Sequence, residues 1–436
     1  MKRPLCFFQT PSLLTCLLLI SQLIARAEPQ DPAEPGYVPE RIILTWTGDP
    51  TRTQAATWRT EKPAGKPTGE IAPLASQPEF KTSTTTTTAI ATTVELDAPD
   101  KTVNYYSVNF EDLTPDTEYC YRVGDADTKT WSEWNVFRTA SNKPKPFKFL
   151  YLGDEQNHIK SLWSRAIRTA FTRNPDIRCI VHAGDLIQYA DNDSQWGDWF
   201  YSMGWIAATV PSIPTPGNHE KKDAAGGGDK DNLSKFWRPQ FALPLNGPKG
   251  LKHLEETAYY VDFQGVRFVS VDSNYYRDKQ QQNWLADVLK GNSNQWTIVT
   301  HHYPLYSTGR EGDKPGLCEA LRPIYEKYKV DLVLQGHDHT YGRTHKLLED
   351  KIASPDGPGV IYAVSVSGPK MYDLSPLHQR LMARVLANTQ LYQIIEVSEK
   401  ELIYTSYSID GAVVDRFRLV KKNGGNSTYI NEAPHP

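Results

Sequence analysis

Phe147-Lys148-Phe149-Leu150-Tyr151-Leu152-Gly153-Asp154 is an apolar run that breaks at a glycine and ends on a carboxylate. The pattern returns in Ile177-Arg178-Cys179-Ile180-Val181-His182-Ala183-Gly184-Asp185. Between the two runs, Leu162, Trp163, Ala166, Ile167, Ala170 and Phe171 recur at the spacing of a helix with one apolar face. Strand, helix, strand, with polar residues gathered where each strand ends, is the unit of an α/β domain, whose ligand sites lie at the carboxyl ends of strands. Further along, Trp296 to Thr300 and Val330 to Leu334 read as strands, and Trp284, Leu285, Val288 and Leu289 as a helix that Gly291 stops. Three more polar clusters complete the series: Gly217-Asn218-His219-Glu220, Val299-Thr300-His301-His302 and Gly336-His337-Asp338-His339. Five of the 11 histidines fall in these clusters.

Upstream the texture differs. From Arg41 the chain reads as short strands, with Ile42, Leu44 and Trp46 alternating. Leu113-Thr114-Pro115-Asp116-Thr117-Glu118-Tyr119-Cys120-Tyr121-Arg122-Val123 resembles the turn and strand of a fibronectin type III domain, in which a corner tyrosine bonds back to the main chain. Residues 36–140 therefore read as one β-sandwich, and Lys143-Pro144-Lys145-Pro146 as a linker to an α/β domain over 145–420, with 421–436 as a C-terminal tail. Lys2 and Arg3, an apolar run from Leu13 to Ile24, and Ala25-Arg26-Ala27 form a secretory signal peptide over 1–27. A secreted protein, periplasmic or extracellular, is expected after cleavage near Ala27, with no membrane span in the mature chain.

Cleavage removes Lys2, Arg3 and Arg26 and no acids, so the formal net charge of −3 becomes more negative. Such a balance leaves no electrostatic footprint for nucleic acid. The cysteines remaining, Cys120, Cys179 and Cys318, are odd in number and far apart. They fit neither a disulfide scaffold nor a thiolate zinc site.

Taken singly, each cluster has a plain reading: Gly-Asp as a turn, Asn218 as a helix cap, His301-His302 as a buried pair. Together, at the ends of strands, carboxylates and imidazoles are the ligand set of iron, zinc or manganese. One carboxylate can bridge two such ions, and a pair of ions at bridging distance can clamp both the attacking and the leaving oxygen of a phosphoryl transfer.

In this order the clusters resemble the motif series of the purple acid phosphatases: GD, GDxxY, GNH followed by D or E, VxxH, and GHxH. The resemblance covers roughly 145 to 420 and extends to the preceding sandwich, which larger members of that family carry. It implies a sandwich followed by an αββα metallophosphoesterase domain, and a hydrolase of phosphate monoesters of the acid phosphatase type. A phosphodiesterase is the alternative within enzymes, and a catalytically weak secreted binding protein the alternative outside them. By position, Asp154, Asp185 and His339 would hold one metal. Asp185, Asn218, His302 and His337 would hold the other, and His219 would bond the phosphate and assist the leaving group. The resemblance implies iron plus a divalent ion (zinc, manganese or iron), with a metal-bound hydroxide attacking phosphorus in line.

Two departures concern the first metal. Gln188 stands at the position of the family tyrosine, with Tyr189 one residue later. Gln156 stands where many metallophosphoesterases have His and purple acid phosphatases Gly. Tyr189, Gln156, Gln188 or water would complete that shell, and His301 is a further neighbour. Arg310, on the loop after His302, is a candidate phosphate contact.

Overall fold

The structure, a computed structural model, describes residues 35–96, 102–222, 232–309, 312–422 and 425–434. The leader over 1–27 and Arg310 lie outside the described residues.

The N-terminal region is a sandwich of two sheets. One pairs Glu40–Thr45, Gln54–Thr60, Thr102–Phe110 and Ile90–Glu95 in that order. The other pairs Thr85–Thr88, Pro67–Pro73, Glu118–Asp125 and Thr130–Trp131, with Asn135–Arg138 also on Glu118–Asp125. Alternation along the strands gives each sheet an apolar face. Trp58, Tyr106, Val108 and Phe110 of the first meet Ile71, Tyr121, Val123 and Phe137 of the second. The corner expected from the sequence is present: the Thr114 N–H donates to the Tyr119 hydroxyl at 2.9 Å.

The larger region has four layers. In one seven-stranded sheet the order is Ser212–Pro214, Ile177–His182, Phe147–Leu152, Leu391–Val397, Glu401–Ser408, Val413–Lys421 and Ser427–Asn431. In the other it is Tyr259–Phe263, Val266–Ser270, Trp296–Thr300, Leu332–Gln335, Ile361–Val364, Tyr341–Thr344 and Met382–Leu386. The sheets face each other through their alternate residues. Phe149 meets Phe268 edge to face at 5.1 Å, and the buried Tyr151 hydroxyl bonds the Gln335 carbonyl across the gap. Helices Ser164–Arg173 and Asp193–Met203 accompany the first sheet, the former against Leu391–Val397. On the second, Leu285 and Leu289 of Lys279–Lys290 and Leu321 and Tyr325 of Leu317–Lys327 pack on Val299 and Val333. The fold is the αββα arrangement expected. One boundary differs: residues 421–436, set apart above as a tail, include the edge strand Ser427–Asn431, which pairs Phe417–Lys421. Cys120, Cys179 and Cys318 are free thiols.

The strands that precede the polar clusters are parallel within each sheet: Phe147–Leu152 with Ile177–His182 and Ser212–Pro214, and Trp296–Thr300 with Leu332–Gln335. Parallel strands deliver their carboxyl ends to one edge, and that edge is where the clusters converge.

The sandwich is docked rather than tethered. Ile43 and Trp46 of its first sheet belong to the core of the larger region, and Trp46 sits 5.4 Å from Phe263. Thr57 and Thr45 hydroxyls donate to the Gln240 and Ala242 carbonyls at 2.6 Å each. At the centre of the contact, Arg41 and Arg59 both reach Asp193, at 2.7 and 2.9 Å, and Arg59 also bonds Glu40 at 2.6 Å. Asp193 opens helix Asp193–Met203, where a negative charge is favoured by the helix dipole. Removing one partner of a buried ion pair strands the other and costs about 3–5 kcal/mol. Asp193→Ala leaves two buried guanidinium groups without this carboxylate and is expected to lower the unfolding free energy by about that amount. Denaturant unfolding of the variant checks this; a change below about 1 kcal/mol, the ceiling for an exposed pair, contradicts it.

Candidate metal centre

Each cluster leaves its strand by a sharp backbone turn. The sequence places a glycine at four of the five exits, but at three of them the left-handed conformation falls on the polar residue itself. Asp154, Asp185 and His337 have φ of 49°, 56° and 76°, and His339 follows at 51°. Non-glycine residues adopt this region rarely, and at a cost that surrounding structure must offset. Only Gly184 among the exit glycines shares it, at φ 87°. Gly217 is needed for space: a Cβ there would sit 2.1 Å from Asp185 Oδ1.

The turns bring six predicted residues together. Donor atoms of Asp185, His302 and His337 lie within 4.8 Å of one another, and so do those of Asp154, Asp185 and His339. Asp185 belongs to both groups. Asn218 joins the first, its Oδ1 3.0 Å from His302 Nε2 and 3.2 Å from His337 Nδ1. The far side of two imidazoles is tied down: His302 Nδ1 is 3.0 Å from the Ala183 carbonyl, and His339 Nδ1 is 3.0 Å from the Lys370 carbonyl. A donor N–H on Nδ1 leaves Nε2 as the atom facing the cluster, the usual arrangement behind a metal-ligating histidine.

The electrostatics match a cation site. Burial raises the Asp154 carboxyl well above its ordinary value, with the neighbouring Asp185 adding to the rise. Burial would raise Asp185 too, but the His302 imidazole beside it wins and holds it below the usual carboxylate range. His302 shows the converse: burial would lower it, and Asp185 and Asp154 push it up to about 9. Burial and the nearby Lys370 bring His339 down to about 3. Asp154 Oδ2 and Gln156 Oε1 are buried without a hydrogen-bond partner in the structure. A shared carboxylate, an orphaned carboxylate oxygen and a mixed carboxylate, amide and imidazole set fit a pair of metal ions.

The remaining candidates separate. His219 stands beside the cluster, with Nε2 3.9 Å from Asp185 Oδ2 and Nδ1 2.7 Å from the Gln188 carbonyl. Gln156 is fully buried inside it, its Nε2 2.8 Å from Asp185 Oδ2 and 3.4 Å from His339 Nε2. Tyr189 is 64% exposed and lines a surface cavity of about 630 Å³ together with Gln188, Asp191, His219, Lys221 and Lys222. His301 points away from the cluster: it stacks on Tyr325 at 6.0 Å on the helix side of the second sheet, and burial lowers it to about 3. Neighbouring residues leaving a strand face opposite ways, and only His302 faces the site.

Sequence reasoning missed the carboxylate that holds the turns. Glu220 is fully buried, and the N–H groups of Asp185, Leu186, Ile187 and Gly217 all point at it, at 2.7–3.3 Å. Burial and the Asp185 charge push it up to about 7, against N–H groups that favour its ionised form. A second unforeseen group lies behind Asp154: Glu155 bonds His182 Nδ1 at 2.6 Å and accepts from Trp199 Nε1 at 2.5 Å. The one available signal was Glu220 itself, directly after Asn218-His219.

The four-layer αββα fold, with carboxylate and imidazole groups at its strand ends, coincides with a family match: residues 136–341 match the family described as Calcineurin-like phosphoesterase. Ahead of it, residues 39–139 match the Purple acid Phosphatase, N-terminal domain. Human acid phosphatase type 7 is 25% identical over 95% of this chain and 98% of its own length. An uncharacterized protein of Mycobacterium tuberculosis is 29% identical over 54% of this chain, which spans 50% of that relative's length. Purple acid phosphatase PPD1 of yellow lupin shares the fold, with a TM-score of 0.75 at 19% identity, over 89% of this chain and 75% of that one.

Glu220→Ala leaves four buried N–H groups without their acceptor, at about 1–3 kcal/mol for each one that water cannot reach. The variant is expected to unfold at least about 3 kcal/mol more easily, read by urea denaturation, and to lose metal as its turns loosen. Unchanged stability would show that the contacts are incidental.

Proposed function

We propose that this chain hydrolyses phosphate monoesters with a dinuclear metal centre. Asp154, Asp185 and His339 hold one ion, and Asp185, Asn218, His302 and His337 hold the other. The observation that carries the reading is the position of Asp185, whose carboxylate belongs to both donor groups. Two cations held by these residues would supply Lewis acidity and a water-derived nucleophile at neutral pH. The chain's own residues do the rest. The Glu220 clamp fixes the turn that presents Asp185, so the bridging carboxylate needs no reorganisation when substrate arrives. His219, anchored through Nδ1 on the Gln188 carbonyl, aims Nε2 at the cluster. In its imidazolium form both nitrogens donate, so Nε2 can bond a phosphate oxygen and pass a proton to the departing alkoxide.

The similarity to human acid phosphatase type 7 over nearly the whole of both chains supports acid phosphatase chemistry. The Tyr119 corner supports a fibronectin type III-like reading of the sandwich. The basic start, apolar run and Ala25-Arg26-Ala27 support an exported enzyme.

Asp185→Asn is expected to lose both ions and all turnover, whereas Asp154→Asn weakens one ion and leaves residual activity. Elemental analysis beside hydrolysis of a monoester and a diester decides: an Asp185 variant with both ions and near-normal turnover ends the bridging assignment, and faster diester hydrolysis ends the monoester one. His219→Ala should keep its metal and lose roughly 10²–10⁴-fold in kcat. Lost metal would make it a ligand instead, and an unchanged rate would make it structural.

A further inference from the structure

We infer that Gln156 supplies the fourth protein donor of the first metal, through its side-chain amide oxygen, and that this centre is built for a divalent ion with no phenolate ligand. The inference rests on the dinuclear reading above and goes beyond it in choosing among the residues that could complete the first site.

The choice follows from where the three candidates lie. Tyr189 is 64% exposed, and its backbone N–H bonds Gln195 Oε1 in the turn leading to the next helix. Its ring lines the outer cavity with Lys221 and Lys222, not the cluster. Gln188 is drawn toward His219, with Nε2 3.4 Å from its Nδ1. Gln156 alone stands among the first-site donors. It is completely buried, and its amide nitrogen touches Asp185 Oδ2 at 2.8 Å and His339 Nε2 at 3.4 Å. The same amide's oxygen is one of the buried polar atoms without a partner. An amide has two ends of nearly identical shape, and half a turn about its last torsion exchanges donor for acceptor. With the nitrogen inward, the amide supplies N–H groups to Asp185. With the oxygen inward, it joins two carboxylates and an imidazole as a fourth acceptor, a set that only a cation can satisfy. The backbone holds the residue there: the Gln156 N–H donates to the Asp185 carbonyl at 3.0 Å, and Gly368 packs so close that a Cβ would lie 2.9 Å from the Gln156 carbonyl.

The donor chemistry then separates the two ions. The first set has two carboxylates, a carbonyl-type oxygen and one imidazole, a hard, oxygen-rich shell of the kind that suits manganese or magnesium. The second has one carboxylate, the Asn218 amide and two imidazoles, which suits zinc or iron. Tyr189, the tyrosine nearest the family position, stands outside the first set, so it supplies no phenolate there to favour a ferric ion or to give a charge-transfer colour.

The test uses full-length protein stripped with a chelator and titrated with Mn²⁺, followed by calorimetry and electron paramagnetic resonance. Wild type should bind two ions as a spin-coupled pair. Gln156→Ala should bind the ion of the first site at least roughly tenfold more weakly, since even outer-shell partners are worth about that much. Its spectrum should be that of isolated Mn²⁺ at ion concentrations that pair the wild type. Gln156→Glu, which keeps an oxygen donor, should restore the coupled pair, and Tyr189→Phe should match wild type. Undiminished affinity for both ions in Gln156→Ala overturns the inference. A wild type that binds fewer than two ions ends the dinuclear reading and this inference with it. Should Gln156→Ala fail to fold, the iron-loaded, oxidised wild type answers alone. A visible spectrum without an intense band supports the assignment, and a band that disappears in Tyr189→Phe overturns it.

Discussion

Two turns that follow different strands are locked to one another by the carboxylate of Glu220. It gathers three successive N–H groups from the turn after Ile177–His182 and a fourth from the turn after Ser212–Pro214. The consequence is geometric. Asp185 can point its side chain nowhere but into the space between the sheets' ends, where Gln156, His302 and the His219 N–H surround it. Every other member of the centre is placed with reference to that carboxylate. Asn218 is the next residue along the second turn, and Asp154 rises on the neighbouring strand, its N–H bonded to the Gly184 carbonyl at 3.2 Å. A buried acid that accepts from four main-chain donors cannot relax without exposing all of them, so the arrangement tends to persist or fail as a unit.

The centre was legible in sequence because its residues sit where the chain's periodicity breaks. An apolar run has one strand's length, and the first polar residue after it lies at the sheet's edge; four such breaks, with a fifth cluster of the same residue types, pointed to a site without any knowledge of distances. What the sequence withheld was of two kinds. Orientation at adjacent positions was hidden: His301 and His302 are chemically the same, and only strand parity, with Tyr325 waiting on the far side, sends one into the helix layer. Long-range partners were hidden as well. Nothing near Arg59 foretells that its guanidinium meets Asp193, or that Glu155 faces His182, because one pair closes only when the sandwich docks and the other only when two strands pair side by side. The last strand was overlooked for a simpler reason. Ser427-Thr428-Tyr429-Ile430-Asn431 is an edge strand with one apolar face, too polar to stand out from a tail.

The sandwich adds none of the candidate metal-site residues, yet it is not an independent bead. Its first sheet offers one face to its own core and the other to the larger region, so Ile43 and Trp46 have no solvent to face. The paired arginines on Asp193 act on the helix that begins just after the Asp185 turn. Any displacement of the sandwich is therefore felt at the start of that helix, three residues beyond the Gln188–Tyr189–Ala190 rim of the cavity beside His219.

The left-handed backbone at Asp154 and Asp185 has an evolutionary reading. Among residues with side chains, aspartate and asparagine are the two that tolerate this conformation best. Their codons differ at a single base. A one-base change at either position would erase the negative charge while leaving the turn, the strand exit and the packing behind it nearly undisturbed. Descendants of such a chain could discard chemistry and keep their architecture, free to be recruited as scaffolds or decoys, and the φ angles of two residues set how short that path is.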